Sequence, residues 1–201
     1  MSAPEVPPLQ GLILAGGRSR RMQQDKALLR YAGQPQVLVA YERVSALVSP
    51  VFVSCRKGQW EDANVNALPQ LHDTLDDVGP LGGILRAFEQ QPDAAWLVVA
   101  CDLPYLTQTT LTALIASRDP ARNATAFRAP DSGLPEPVCA IYEPAIAPLL
   151  EQYLSEGIRC PRKILLSEDT ALFDLPDPEA LINVNHPHEF EEARAHLGDT
   201  L

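Results

Sequence analysis

Residues 11–26 read GLILAGGRSRRMQQDK, and the fold turns on this stretch. Gly11-Leu12-Ile13-Leu14 is a short apolar run without polar alternation, the pattern of a strand covered on both faces. It breaks at Ala15-Gly16-Gly17 into a loop carrying Arg18, Arg20, Arg21 and Lys26. Adjacent glycines let backbone N–H groups approach a ligand that a Cβ would hold off. Clustered cations neutralise a polyphosphate. The background makes the cluster informative: the chain has 16 Lys+Arg against 26 Asp+Glu, a net charge of -10, yet four of those cations lie beside one glycine turn. The stretch points to a nucleoside triphosphate bound past the end of a buried strand.

Strand-like and helix-like segments alternate through the rest of the chain. Strands are expected at 11–14, 51–54, 65–71, 96–100, 123–128, 138–142 and 170–174. Apolar stripes at helical spacing join Val37, Leu38, Tyr41, Val44 and Val48; Leu81, Ile84, Leu85 and Phe88; Leu111, Leu114 and Ile115; and Ile146, Leu149, Leu150, Tyr153 and Leu154. A last helix holds Phe190 and Leu197, with Pro187 near its start and Gly198 just past its end. Such alternation predicts β-α-β units, hence an α/β fold with a mostly parallel central sheet between two helix layers, 11–14 and 96–100 being its central strands. The stripes are core. Residues 1–9 are expected to be a loose tail, and 10–201 a single domain.

Composition narrows the classes. With 201 residues the chain can bury a core without staples, and its 19 prolines point to many rigid turns. The acidic balance argues against a nucleic-acid partner, which wants a basic face. Cys55, Cys101, Cys139 and Cys160 show no C-x-x-C spacing and read as reduced thiols, not a zinc site or disulfide framework. The first ten residues, MSAPEVPPLQ, lack the features of a signal peptide, and no apolar run reaches the ~20 residues of a membrane span. A cytoplasmic protein without membrane contact is expected.

In open α/β sheets ligands bind beyond the carboxyl ends of the strands. Asp102, in Cys101-Asp102-Leu103-Pro104 after the strand 96–100, is costly there unless a cation pairs with it. A Mg²⁺ ion bridging phosphates is one such cation, and a turn aspartate capping the next helix is the plainer alternative. Asp73 follows the strand 65–71, and Gly79-Pro80-Leu81-Gly82-Gly83 opens a helix whose first N–H groups could face a ligand. Two familiar phosphate loops fail: Lys26 lies between Asp25 and Ala27, not in G-x-x-x-x-G-K-[ST], and Gly16-Gly17-Arg18-Ser19-Arg20-Arg21 is not G-x-G-x-x-G.

The ordered set Leu14-Ala15-Gly16-Gly17, Arg20-Arg21-Met22, Asp25-Lys26, Asp73, Gly79–Gly83, Cys101-Asp102-Leu103-Pro104-Tyr105 and Asn183-Val184-Asn185 resembles the molybdenum cofactor guanylyltransferases of the nucleotidyltransferase superfamily, over about residues 10–197. The resemblance implies a Rossmann-like three-layer nucleotidyltransferase fold and transfer of GMP from GTP to molybdopterin, or Mo-molybdopterin, with Mg²⁺ as cofactor and pyrophosphate released. By that resemblance Leu14, Ala15, Gly16, Gly17 and Gly82 present backbone to the nucleotide, Lys26 contacts its phosphates and Asp73 takes the guanosine side. Asp102 holds Mg²⁺, and Arg20 and Arg21 offset charge on the departing pyrophosphate. Arg159, Arg162 and Lys163, with Asn183 and Asn185, would meet the acceptor; a solvated helix face is the other reading of the three cations. A monomer is expected, with transient contact to cofactor-delivery or molybdoenzyme-maturation proteins.

Guanine is inferred from Ala15-Gly16-Gly17, because the related cytidylyltransferases look more like L-A-A-G there. The rivals are such a cytidylyltransferase, or another nucleotidyltransferase of this fold, and a nucleotide-binding domain without turnover. The chain departs from the family pattern at Gln23-Gln24, at Ser54 where relatives often carry asparagine, at His186 where they often carry threonine, and across Gly133–Pro137.

Overall fold

The computed structural model describes residues 6–17, 19, 22, 24–75 and 77–198. β1 (Leu9–Leu14) leads through the glycine loop to a 3-10 turn at Lys26–Leu28 and a small ribbon of β2 (Arg30–Tyr31) and β3 (Gln34–Pro35). There follow α1 (Gln36–Ser45), β4 (Val51–Cys55), α2 (Ala63–Asn66), β5 (Gln70–His72), α3 (Pro80–Gln90) and β6 (Ala95–Ala100). The second half runs α4 (Gln108–Ala116), β7 (Ala124–Arg128), β8 (Pro135–Tyr142), α5 (Ala147–Ser155), α6 (Pro161–Ser167), β9 (Thr170–Phe173) and α7 (Pro187–Leu197).

The main sheet has the order β5-β4-β1-β6-β8-β7-β9. β1 pairs in parallel with β4 and β6, β4 with β5, and β7 with β9; β8 runs against both of its neighbours. The expected three-layer architecture is the observed one. β1 and β6 are central, and every residue of β6 is buried. Successive strand residues face opposite layers. Ile13, Leu97 and Val99 pack with Val37 and Val44 of α1 and with Leu111 and Leu114 of α4. Leu12, Trp96 and Val98 pack on the other side with Leu81, Ile84 and Phe88 of α3, Leu150 of α5, and Ile164 and Leu165 of α6. Each large side chain so buried contributes about 1.5–3 kcal/mol relative to exposure.

Several boundaries differ from the sequence-based expectation. The segment 65–71 is not one strand: the Asp62 carboxylate accepts from the N–H groups of Asn64 and Val65, which closes a helical turn first and leaves Gln70–His72 as the strand. The first strand begins at Leu9, and the carbonyls of Pro7 and Pro8 accept bonds from Arg118 and Ala95. β8 starts at Pro135, three residues ahead of the expected 138. The helix α6 and the β2–β3 ribbon were not anticipated, since each offers only a few apolar positions. Among the described residues no helix is long and apolar enough to cross a membrane.

Candidate active site

The carboxyl ends of β1, β4, β5 and β6 and the start of β8 open into a cavity of about 1070 Å³. That is at the upper end of the ~300–1,000 Å³ usual for a small-molecule site. Its floor is the turn after β1. The Leu14 carbonyl accepts from Cys101 N–H (3.1 Å) and Ala15 N–H donates to Ser54 O (2.9 Å), tying the glycine loop to both neighbouring strand ends. Leu14, Ala15, Gly16 and Gly17 all line the cavity.

Gly16 has a steric reason that the sequence did not reveal. A Cβ there would lie 2.2 Å from Asp73 Oδ2, so only glycine lets the half-buried Asp73 carboxylate rest against the loop backbone. The other oxygen, Oδ1, accepts the Ser54 hydroxyl at 2.6 Å. Burial pushes the Asp73 carboxyl above its ordinary pKa, and the Ser54 hydrogen bond pulls it part of the way back. Ser54 in turn needs Gly83, where a Cβ would lie 2.4 Å from Ser54 Oγ and 2.8 Å from Leu14 Cδ2. The departure at Ser54 is therefore accommodated: a small hydroxyl fits under α3 and reaches Asp73.

The cationic end of the loop is held by a clasp. Asp25 accepts from Ala27 N–H (3.0 Å), Gln59 Nε2 (2.8 Å) and Trp60 Nε1 (2.9 Å), while Gln59 Nε2 also donates to the Ala15 carbonyl (2.9 Å). Gln59 and Trp60 thus fix the two ends of the loop relative to one another. Sequence reasoning missed them because they follow β4 in an irregular segment without spacing of its own. Lys26 N–H donates to Ser19 Oγ at 3.1 Å. Its Nζ donates to Asp102 Oδ2 at 3.0 Å and to Asn185 Oδ1 at 2.5 Å.

Asn183 and Asn185 reach the cavity because Val184 between them is buried and its N–H donates to the Asp102 carbonyl at 3.1 Å. His186 is the N-cap of α7, but the cap is completed by Glu189, whose carboxylate accepts from Asn185 N–H (2.6 Å) and His186 N–H (2.9 Å). Those backbone bonds hold Glu189 below the usual carboxylate range.

On the far side, Arg159 and Arg162 line the cavity. Arg162 donates from Nε to the Pro135 carbonyl (3.1 Å) and from a terminal nitrogen to Glu136 Oε2 (3.0 Å). Glu136 itself faces the cavity although only 5% exposed. Burial raises its pKa, and the Arg162 charge works against that rise. Nothing but its place in the atypical Gly133–Pro137 segment signals Glu136 in the sequence.

Two of the sequence-based site residues are not brought to the cavity. Lys163 does not line the cavity: it stands exposed on α6. Gly82 does not line it either, being buried in the first turn of α3 with its N–H donated to the Gly79 carbonyl (3.1 Å); Gly79 and Pro80 are the residues of that turn that reach the cavity. Arg18, Arg20, Arg21 and Gln23 lie outside the described residues.

The chemistry open to this arrangement is positioning and charge neutralisation. Burial pushes the Cys55 thiol up to about 12 and the Cys101 thiol higher still, so neither supplies a thiolate nucleophile at neutral pH. No group of three or more His, Cys, Asp or Glu that could cage a metal occurs among the described residues. A cation held by one carboxylate plus substrate oxygens remains compatible with Asp102.

Residues 11–171 match the model of the MobA-like NTP transferase domain. The chain is 38% identical over 183 residues to a molybdenum cofactor biosynthesis bifunctional protein of Synechocystis, covering 91% of this chain and 53% of that one; it spans about half the length of that relative. It is 36% identical over 188 residues to a probable molybdenum cofactor guanylyltransferase of Synechococcus elongatus, covering 90% of this chain and 95% of the relative. Among solved structures, molybdopterin-guanine dinucleotide biosynthesis protein A from Archaeoglobus fulgidus superposes with a TM-score of 0.78 at 22% identity, over 93% of this chain and 97% of that one.

Proposed function

The chain belongs to the MobA-like NTP transferase family and, within it, to the molybdenum cofactor guanylyltransferases, and on that premise we propose that it transfers GMP from GTP to molybdopterin. The observation that carries the reading is Lys26 Nζ, held between Asp102 and Asn185 on the floor of a cavity of about 1070 Å³ lined from both the Asp73 and the Arg159 sides. An oxygen of the acceptor's terminal phosphate attacks the α-phosphorus of GTP. A new phosphorus–oxygen bond forms, the bond to the β-phosphate bridge breaks, and its electron pair leaves with pyrophosphate. No protein nucleophile is required, so the protein's work is to align two polyanions and neutralise their charge.

Each residue then has a role. The backbone at Leu14, Ala15, Gly16 and Gly17 approaches the nucleotide, and Asp73 takes the guanosine side. Lys26 meets the phosphates, and Arg20 and Arg21 offset the charge of departing pyrophosphate. Arg159, Asn183 and Asn185 meet the acceptor, whether or not it already carries molybdenum, and Arg162 joins them from its bond with Glu136. Asp102 suits Mg²⁺: its Oδ2 is engaged by Lys26, its Oδ1 has no hydrogen-bond partner among the described residues, and Mg²⁺ commonly takes one or two carboxylates with the rest of its shell from phosphates and water. Bound there, the ion would screen the negative charge of the phosphates. The working protein is taken to be a cytoplasmic monomer that meets cofactor-delivery or molybdoenzyme-maturation proteins transiently.

The test is to incubate the protein with molybdopterin, Mg²⁺ and each nucleoside triphosphate in turn and to measure pyrophosphate. Release with GTP well above that with CTP or ATP is expected. Preference for CTP would make the chain a cytidylyltransferase, and GTP binding without pyrophosphate would make it a binder.

A further inference from the structure

Glu136 is out of keeping with a cavity that must accept phosphates, since a carboxylate there repels them unless it meets a donor. It is nevertheless built in. Glu136 is 5% exposed and lines the cavity, and Arg162, itself fixed on the Pro135 carbonyl, pins Oε2 at 3.0 Å. Among the described residues Oε1 meets only the Val138 N–H, at 3.4 Å, beyond the ~2.7–3.2 Å of a normal N–H···O bond. Each carboxylate oxygen can accept about two bonds, so a fixed carboxylate with unused lone pairs faces the ligand space.

Its place in the sheet says which ligand it faces. β8 is next to β6, and β5 is four strands away in the order β5-β4-β1-β6-β8. At ~4.8 Å per strand, Glu136 stands roughly one spacing from the strand that ends two residues before Asp102 and ~19 Å from the strand that ends before Asp73. With the nucleoside on the Asp73 wing and the phosphates over Lys26 and Asp102, Glu136 belongs to the acceptor's ring system.

We infer that Glu136 recognises the 2-amino-4-oxopyrimidine edge of the acceptor's pterin, accepting its ring N–H and exocyclic N–H together. The inference rests on the acceptor proposed above. A pterin presents these two donors side by side, the complement of a carboxylate fork. Guanine presents the same edge, so the cavity carries a buried or half-buried carboxylate on each wing for two rings with one donor pattern.

The experiment uses the full chain with GTP present and two phosphate-free probes: 6-hydroxymethylpterin, and the matching lumazine in which oxygen replaces the 2-amino group. Dissociation constants come from ligand-observed NMR. The wild type is expected to favour the pterin by about tenfold or more, the scale of a hydrogen bond to a charged group. Glu136→Gln should bring that ratio close to one, and Glu136→Asp should weaken both probes while keeping the preference. A role confined to holding Arg162 would leave the ratio unchanged in Glu136→Gln, and that result, or no pterin preference in the wild type, overturns the inference. Pyrophosphate release from molybdopterin and GTP is scored separately: turnover with an unmoved ratio sinks this inference alone, and a Glu136-dependent ratio without turnover sinks the guanylyltransferase reading alone.

Discussion

The two wings of the cavity are built by different physics. On the Asp73 wing, backbone and short side chains meet at distances that admit no methyl group: Gly16 lies against the Asp73 carboxylate and Gly83 against the Ser54 hydroxyl. On the Glu136 wing, the antiparallel start of β8 and the short helix α6 are joined by a long-side-chain ion pair, Glu136–Arg162. The first wing is specified by what must be absent, the second by what long side chains can reach. Close approach tolerates one residue at one position, whereas an ion pair can be assembled from several backbone positions. Lys26, bonded to Asp102 and Asn185, joins the two.

Substitutions should separate wings from joint. The largest effect is expected at the joint: Lys26→Ala should lower kcat by about 10²–10³-fold, the scale for removing one preorganised charge-stabilising group. Steady-state pyrophosphate assays would measure it, and a loss below tenfold would remove Lys26 from the reaction. Next comes the nucleotide wing. Gly16→Ala forces a methyl to 2.2 Å from Asp73 Oδ2, so the carboxylate or the loop must move. About 10²-fold in kcat/KM for GTP is expected, as for a misplacement of about 1 Å, with acceptor KM held within about twofold. A shared loss in both would show that the wings are not separable. The acceptor wing should respond less. Arg159→Ala should raise acceptor KM about tenfold, in the range of a charged hydrogen bond, and Lys163→Ala should do nothing measurable. Equal effects would return Lys163 to the site.

These contrasts parallel what could be seen in the sequence. β1, β6 and the glycine loop were legible because buried parallel strands are unbroken apolar runs and the loop follows one directly. Lys26, Asp73 and Asp102 came with motif spacing, and the cavity contains all three. The segment 65–71 misled because apolar Val65, Leu68 and Leu71 carry no sign that Asp62 caps a turn at 63–66. The clasp of Asp25 with Gln59 and Trp60 was hidden, since its members are 34 and 35 residues apart and meet only through sheet pairing. The placement of Lys163 was hidden for a related reason. Arg159, Arg162 and Lys163 are indistinguishable by charge; Arg159 reaches the cavity from the chain just before α6, and the axis of α6 turns Arg162 toward it and Lys163 away.

The smallest expected effect tests whether Asp73 is held as a functional carboxylate at the expense of the fold. Burial raises its pKa in the folded chain, so the folded state prefers the protonated acid more than the unfolded chain does. Its favourable contribution to stability is therefore complete below the unfolded pKa and is lost as pH rises through the raised folded value. Near pH 8 the ionised Asp73 should destabilise the protein. Asp73→Asn keeps the shape, can still accept the Ser54 hydroxyl and does not titrate. It should melt a few degrees above the wild type at pH 8, with the difference closing as pH falls toward 4, while GTP affinity drops at every pH. On the Glu136 wing, Arg162 opposes the same burial effect, so Glu136→Gln should gain less at pH 8 than Asp73→Asn. Thermal melts of the two variants across pH measure the comparison directly. If Asp73→Asn melts no higher than wild type at pH 8, the carboxylate is compensated by contacts beyond Ser54, and the nucleotide wing is not the strained one.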